Sequence, residues 1–514
     1  MTIEPYRRRI YGFLLVLVGC LSFAVRGYHD EQSTLQSFDF KPVYASTLCL
    51  MQGCDPYDSA QIEQVYLQHG GDPKDLRPFR PYNANYPPSA LFLTIPLALL
   101  PFPLAQAVWL ILGMLLFSIA ALCTADLCTL APCASTLWTW DLTPADSSIA
   151  DLSPAAPSLA GPSAGWPVLV AEAILAAFVA SSTILVMLGQ PAMYSISLVV
   201  LAVWSFLRRR SLALGVLAFA VSLTLKPHVG ALVWLFFLLS SSPSTRVPPT
   251  MGAALASPLQ PAASTVSRRR LALYTLAATL LLMTPGVLLA YHHPASSHWP
   301  QELRHNLVEI ASPGQASNPG PTNDEVGSIA SLQALFALWH RSPRFYNLAT
   351  YATFLPLFLA WLYLLLRRSG QAVSRRTQTC GALSAADLMA LAAAAALSFL
   401  PIYHRQYDTR LLLLVFPAVA WLASRYRRLG GAALALSALA TLTLSHQFVH
   451  LAVGHGARLV PGRTALHGVP WLVFHRPLPL TLLLLSCFFL YAMSFVSQPF
   501  VSQPRVSQPD ATPE

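Results

Sequence analysis

Charged residues are scarce in this chain. Only 11% of its 514 residues are Asp, Glu, Lys or Arg, whereas 54% are hydrophobic. Soluble proteins carry about 25% charged residues, so the composition excludes an ordinary soluble domain. Lysine is rarer still, since Lys41, Lys74 and Lys226 are the only three. The net charge of +10 therefore comes mostly from arginine.

Nucleotide-binding motifs are also missing. The chain has no GxxxxGK[ST] and no GxGxxG after a strand, which argues against nucleotide-driven transport. No polar domain interleaves basic and aromatic residues, so no nucleic-acid partner is predicted. The eight cysteines lack metal-ligand spacing. The His446–His450 pair has no nearby carboxylate and is interpreted as structural. We predict no metal and no cofactor.

Long apolar runs are what the chain has instead. Runs of about 15 to 22 residues recur along it, which predicts an all-α polytopic membrane protein with about 11–13 transmembrane helices. The expected spans are 10–25, 104–127, 168–188, 192–207, 212–225, 229–239, 271–291, 347–366, 388–402, 411–423, 431–445 and 478–496.

Arginine runs abut many of these spans and predict their orientation. Because basic residues mark the cytoplasmic side, Arg7 to Arg9 place the N-terminus inside. We expect a signal-anchor at 1–27, a long exterior loop at 28–88, a bundle at 89–447, an exterior loop with the last span at 448–496, and a disordered tail at 497–514. Within the bundle we expect a half-depth helix at 89–101, low-complexity connectors at 128–167 and 241–267, and an exterior loop at 292–345.

The first exterior loop gathers carboxylates among aromatic residues. Asp39, Asp55 and Asp58 lie there, and a carboxylate at the rim of a membrane bundle suits a general base that activates a hydroxyl. Cys49 and Cys54 lie in the same loop; a local disulfide is one interpretation, but we expect free cysteines that act as small apolar residues. We expect Asp39 to be the base, and Asp55 and Asp58 to orient the loop or bind sugar.

Basic residues also occur at the exterior ends of helices, against the arginine rule. Such a cluster suits an anionic lipid headgroup, because Arg offers phosphate a planar fork and Lys a point charge. A second interpretation is that Lys226 only extends to the interface and Arg405 pairs with Asp408. The predicted phosphate-binding residues are Lys226, His228, His404, Arg405 and Arg410.

Two further positions offer contacts to a sugar. Gln190 precedes a helix break and Tyr86 precedes a double proline that forces an extended backbone. Amide and phenol groups at this face suit sugar hydroxyls, although a capping amide and a rigid turn also explain these residues. We predict Tyr86 and Gln190 as sugar or acceptor contacts.

Several motifs, taken in order, resemble glycosyltransferase family 87. The resemblance covers about residues 10–425. Its segments are Asp39-Phe40-Lys41-Pro42-Val43-Tyr44, Gly53-Cys54-Asp55-Pro56-Tyr57-Asp58, Tyr86-Pro87-Pro88, Pro96-Leu97-Ala98-Leu99-Leu100-Pro101-Phe102, Gly189-Gln190, Leu225-Lys226-Pro227 and Tyr403-His404-Arg405-Gln406-Tyr407-Asp408.

The resemblance implies a GT-C fold and a membrane glycosyltransferase. Such enzymes transfer a hexose, often mannose, from a polyprenyl-phosphate donor to an envelope glycan or glycolipid, generally with inversion. The resemblance also implies an outward-facing site in a bacterial-type inner membrane and Asp39 as the base. From the residues alone, a lipid or sugar transporter of the same shape remains an alternative, although no internal repeat supports it. A non-catalytic envelope scaffold is a third possibility.

Overall fold

The computed structural model describes the chain in ten stretches. These are residues 4–33, 37–79, 85–129, 166–240, 266–320, 322–323, 326–371, 384–445, 448 and 476–497. Apart from their first or last residues, the predicted connectors at 128–167 and 241–267 and the predicted tail at 497–514 lie outside the described residues. The His446–His450 pair lies outside them as well.

The described part of the chain folds into helices. Those before the second connector are α1 Glu4–Ser33, α2 Phe40–Gln52, α3 Ser59–Gln68, α4 Pro88–Leu93, α5 Ile95–Ala98, α6 Phe102–Cys128, α7 Trp166–Ala180, α8 Ile184–Met187, α9 Pro191–Arg208, α10 Leu212–Leu225 and α11 Pro227–Leu239. Those after it are α12 Arg268–His292, α13 Trp299–Ile310, α14 Leu332–Phe336, α15 Pro343–Gln371, α16 Ala385–Leu397, α17 Phe416–Arg425, α18 Arg427–Thr443 and α19 Pro477–Ser497.

Many of these helices are apolar enough for a membrane. Among the described residues, seven have both the length and the composition to cross one, and three more are apolar but shorter. The seven are Arg7–Glu31, Phe102–Cys128, Trp166–Met187, Pro191–Arg208, Arg268–His292, Pro343–Arg368 and Pro477–Val496. The prediction of an all-α polytopic membrane protein is confirmed.

Some predicted spans coincide with interrupted or short helices. Span 411–423 begins within a 3-10 helix, Asp408–Val415, and continues as α17. Span 431–445 falls on α18, whose 17 residues rise only about 25 Å. The predicted half-depth segment at 89–101 is split into α4 and α5 at Thr94.

Ion pairs between arginine and aspartate join helix ends at one end of the bundle. Arg208 Nε lies 2.7 Å from Asp126 Oδ2, so the ends of α6 and α9 are joined. The start of α12 meets the end of α15 and the start of α16, where Arg268 and Arg368 lie 3.2 and 3.6 Å from Asp387. This arginine end carries the runs that predict the cytoplasmic side.

The segment predicted as the first exterior loop is folded and follows the C-terminal end of α1, away from the arginine end. A disulfide joins Cys49 to Cys54, so the expectation of free cysteines at these two positions is wrong. Lys41 is buried and pairs with Asp75 across the loop. The ring of Phe40 stacks on Trp109 of α6 with centroids 4.7 Å apart. These contacts attach α2 to the bundle and set the position of Asp39, which immediately precedes it.

Candidate functional site

The turn that carries Asp39 is fixed by backbone contacts to the end of α8. The amide of Ser37 donates to Met187 O at 3.1 Å, and the amide of Asp39 donates to Leu188 O at 2.8 Å. Gly189 has φ +60, and a Cβ there would lie 2.9 Å from Ser37 Cβ. The Gly-Gln motif therefore permits a close approach that any larger residue would block.

Gln190 holds the carboxylate of Asp39 directly. Its side chain is buried, and Nε2 donates a hydrogen bond to Asp39 Oδ2. Asp39 does not cap its own helix, α2, with its side chain. The sequence predicts that Gln190 contacts a sugar or the acceptor. In the structure, its side-chain amide contacts the predicted base instead, and contact with a sugar stays a prediction.

A buried glutamate supports the same turn, and sequence reasoning missed it. Glu31 is only 4% exposed, and its Oε1 accepts hydrogen bonds from Gln106 Nε2 at 2.7 Å and Ser37 Oγ at 3.1 Å. The signal available in the sequence was an acidic residue at the very end of the first apolar span, six positions before Ser37.

The second half of the site is a buried ion pair between distant segments. Lys226 Nζ lies 2.9 Å from Asp408 Oδ1, and both side chains are less than 10% exposed. The ammonium also lies 5.1 Å from the centre of the Tyr407 ring. Lys226 is thus buried and paired, which differs from the interpretation that it only extends to the interface.

Two histidines adjoin this pair. The rings of His228 and His404 are 4.9 Å apart, and His404 Nδ1 lies 3.4 Å from Asp408 Oδ2, at the long limit for a hydrogen bond. His404 is fully buried, yet neither of its ring nitrogens has a hydrogen-bond partner among the described residues. The predicted residues Lys226, His228 and His404 therefore come together, with Asp408 at their centre.

The two predicted arginines face different surroundings. Arg405 donates to the hydroxyl of Tyr403 and, over 2.8 Å, to Ala316 O of the loop 292–345. Arg410 is fully buried and donates to Leu444 O at 2.6 Å, with its guanidinium 4.9 Å from the Phe178 ring. Its Nε and Nη1 have no hydrogen-bond partner within the described residues. Phosphate binding by either arginine stays a prediction.

The turn that carries His404 is tied to the second exterior loop. The amide of Ala330 donates to His404 O, and the amide of Gln406 donates to Ser328 O, both at 2.8 Å. Ile329 and Arg405 form an isolated antiparallel bridge. These hydrogen bonds from the loop 292–345 hold the 403–408 turn in place and thereby orient His404.

Tyr86 and Tyr407 connect the two halves of the site. Burial raises the pKa of the Tyr86 phenol well above its ordinary value, and the carboxylates of Asp39 and Asp408 both add to the rise. The pKa of Tyr407 is raised by burial and by the same two carboxylates. Asp39 and Asp408 therefore both act on the same two tyrosines, although 369 positions (408 − 39) separate them in the sequence.

Asp408 stays ionised despite its burial. Desolvation favours the neutral acid, but Lys226 and His404 outweigh it and hold the pKa of this carboxyl well below its ordinary range. The site thus contains a buried carboxylate paired with Lys226. From the sequence, Asp408 is expected only as a partner for Arg405. Its contact with Lys226 cannot be predicted, because the two residues are 182 positions apart.

Asp55 and Asp58 lie in the same loop but serve its local structure. Asp58 Oδ1 caps α3 by accepting from the amides of Ala60 and Gln61. Asp55 Oδ1 accepts from the amide of Tyr57 at 2.9 Å. Both carboxylates thus make local hydrogen bonds within the loop, and sugar binding by either one stays a prediction.

Comparisons with known proteins return nothing for this chain: no family model, no curated protein and no solved structure matches it.

Proposed function

We propose that this protein is a membrane glycosyltransferase that moves a hexose from a polyprenyl-phosphate donor to a glycan or glycolipid acceptor of the cell envelope. The observation that carries the proposal is the convergence of Asp39 with the Lys226–Asp408 pair around Tyr86 and Tyr407. A proton acceptor and a cationic group thus both adjoin Tyr407, an arrangement that suits a transfer from a lipid phosphate.

Asp39 is the proposed general base. It takes the proton of the acceptor hydroxyl as that oxygen attacks the anomeric carbon of the sugar, and the bond from carbon to phosphate oxygen breaks. The electron pair of that bond leaves with the polyprenyl phosphate. Gln190 fixes the carboxylate through the hydrogen bond to Oδ2, and fixed geometry is a large part of catalysis.

The departing phosphate is the proposed ligand of the basic residues. Lys226 and the histidines lie at the start of α11 and in the 403–408 turn. Gln190 and Lys226 are the N-cap residues of α9 and α11, and helix N-termini favour negative charge. Charge that grows on the phosphate in the transition state is thereby stabilised.

Two features support a site on the outer face. The Cys49–Cys54 disulfide lies in the loop that follows Asp39, and disulfides persist in oxidising compartments. The ion pairs of the arginine end involve the ends of α6, α9 and α15, whereas the candidate site involves the starts of α9 and α11. Because positive charge marks the cytoplasmic side, the site belongs on the other side.

The test has two stages, because the acceptor has first to be identified. Mass spectrometry of envelope glycolipids from a deletion strain identifies a product that loses one hexose. Purified protein in lipid nanodiscs is then given polyprenyl-phosphomannose and that acceptor. Wild type is expected to transfer the sugar, and Asp39→Asn is expected to lose at least about 100-fold in rate, since general-base catalysis contributes that much.

A matched control separates the base from the charge of the loop. Asp72 lies exposed in the same loop, so Asp72→Asn changes the net charge identically and is expected to keep its activity. Retained transfer by a well-folded Asp39→Asn protein removes the base assignment. Movement of labelled donor lipid across proteoliposomes without covalent change identifies a transporter instead.

A further inference from the structure

Three potential metal ligands lie together at the 403–408 turn. His228, His404 and Asp408 each offer one ligating atom, and all three atoms lie within 4.8 Å of one another; no other such group occurs in the described part of the chain. The group combines the start of α11 with a turn that the second exterior loop holds in place. It is thus built from two rigidly supported segments.

His404 is the observation that points to a ligand. Its side chain has no solvent exposure, and both ring nitrogens lack a hydrogen-bond partner within the described residues. A buried polar group without a partner destabilises the fold, because it has lost its hydrogen bonds to water without gaining others. A metal ion in the cluster supplies a partner to the ring.

Asp408 divides its two oxygens in the manner of a supported ligand. Oδ1 accepts from Lys226 at 2.9 Å, while Oδ2 faces His404 Nδ1 at 3.4 Å and accepts from the Arg405 amide at 3.3 Å. Both oxygens are therefore held by neighbouring groups, and Oδ2 also faces His404. Carboxylate ligands of metals are commonly oriented by such outer hydrogen bonds.

We propose that His228, His404 and Asp408 bind one divalent transition-metal ion of the zinc type. Two imidazoles and one carboxylate suit zinc and related ions better than magnesium or calcium, which prefer oxygen alone. Tetrahedral bonds of about 2.0–2.1 Å put ligand atoms about 3.4 Å apart. His404 Nδ1 and Asp408 Oδ2 already have this separation, and the widest separation, at most 4.8 Å, has to shorten by up to about 1.4 Å. Three protein ligands leave one position open for a phosphate oxygen.

The role of the ion rests on the proposed function, but its binding does not. In the transferase, the ion holds the phosphate of the departing carrier as a Lewis acid, and Lys226 compensates the remaining charge. Binding is measured without donor or acceptor. A failure to bind metal therefore leaves the Asp39 experiment intact, and a failure of Asp39 leaves metal binding intact.

The experiment titrates Zn²⁺ and Co²⁺ into protein stripped with EDTA and purified through a tag without histidine. Calorimetry is expected to give one Zn²⁺ per chain, and Co²⁺ to give visible absorption typical of nitrogen and oxygen ligands. His404→Ala and His228→Ala are each expected to weaken binding about tenfold or more. Mg²⁺ is expected not to compete.

Two further variants separate a metal site from a structural cluster. His29 is 84% exposed, so His29→Ala controls for weak surface binding and is expected to bind like wild type. Lys226→Gln removes a positive charge beside Asp408 and is expected to tighten binding. If the buried His404→Ala variant fails to fold, the test rests on His228→Ala, because His228 is only partly buried. No stoichiometric binding, or equal affinity in the folded His228→Ala protein, overturns the proposal.

Discussion

Gln190 and Lys226 share a local feature: each is followed by a proline that begins a helix. Pro191 starts α9 and Pro227 starts α11. A residue before proline avoids helical geometry, and Gln190 is extended at φ −67 and ψ 128. Since proline is tolerated in the first turn, the backbone turns sharply at these points. The side chains of both residues consequently meet the site rather than the bundle interior.

The amide of Gln190 yields a prediction at this scale. Gln190→Ala removes the donor that holds Asp39 Oδ2, so the carboxylate becomes free to rotate away from its working position. We expect kcat to fall about 10- to 100-fold, with little change in the KM for the donor.

Steady-state kinetics in nanodiscs measure this separation. Gln52 is exposed in the first loop, and Gln52→Ala is expected to behave as wild type. An unchanged kcat for Gln190→Ala, or a rise confined to KM, contradicts a positioning role and favours the contact with a sugar that the sequence suggests.

Some of the site residues can be predicted from the sequence and others cannot. Lys226 and His404 stand out because basic groups at exterior helix ends oppose the arginine pattern. Asp408 does not stand out, since its partner Lys226 is distant in the chain. His404 and Asp408 are four positions apart, but they lie in a turn rather than in one helix. The other histidine of the cluster, His228, comes from α11. Spacing rules predict contacts only within one helix or strand, so they do not reveal this cluster.

At the scale of elements, the breaks in helices matter as much as the helices. Hydrophobic length locates the long spans well, because each must cover the same apolar thickness. It does not locate the 3-10 helix Asp408–Val415 or the split at Thr94, which depend on tertiary contacts. Such irregular backbone in membranes is tolerated where it lines a protein site.

A carboxyl pair links α13 to the first exterior loop and leads to a pH prediction. Burial raises the pKa of Asp55 above its ordinary 3.8. Burial and Asp55 also raise the pKa of Glu302 above its ordinary 4.5. Both groups bind protons more tightly when folded, so their contribution to stability is present below the ordinary values and is lost as pH rises through the raised ones. Thermal stability is expected to fall over the range just above pH 4.5.

The variant Glu302→Gln tests this coupling. It keeps a neutral amide at all pH values, so its melting temperature is expected to decline less across that range. Glu309→Gln, on the same helix, is the matched control and is expected to follow wild type. Parallel melting curves for Glu302→Gln and wild type contradict the pairing of Asp55 with Glu302.

At the scale of the whole molecule, charge is divided between two ends. The arginine end holds the pairs of Asp126 and Asp387, with no site histidine among them. The other end holds Asp39, Lys226, Asp408 and the disulfide. The sequence predicts this division because arginine runs recur at alternate span ends. It does not predict the distances inside the pocket, because those depend on how the helices pack.

The most direct test of the account is a cryo-EM structure of the Asp39→Asn protein in nanodiscs with polyprenyl-phosphomannose. The account predicts the donor phosphate within bonding distance of Lys226 and His404, directly or through a bound ion, with the anomeric carbon facing residue 39. Donor density elsewhere on the protein, or residue 39 and Lys226 on opposite membrane faces, contradicts it.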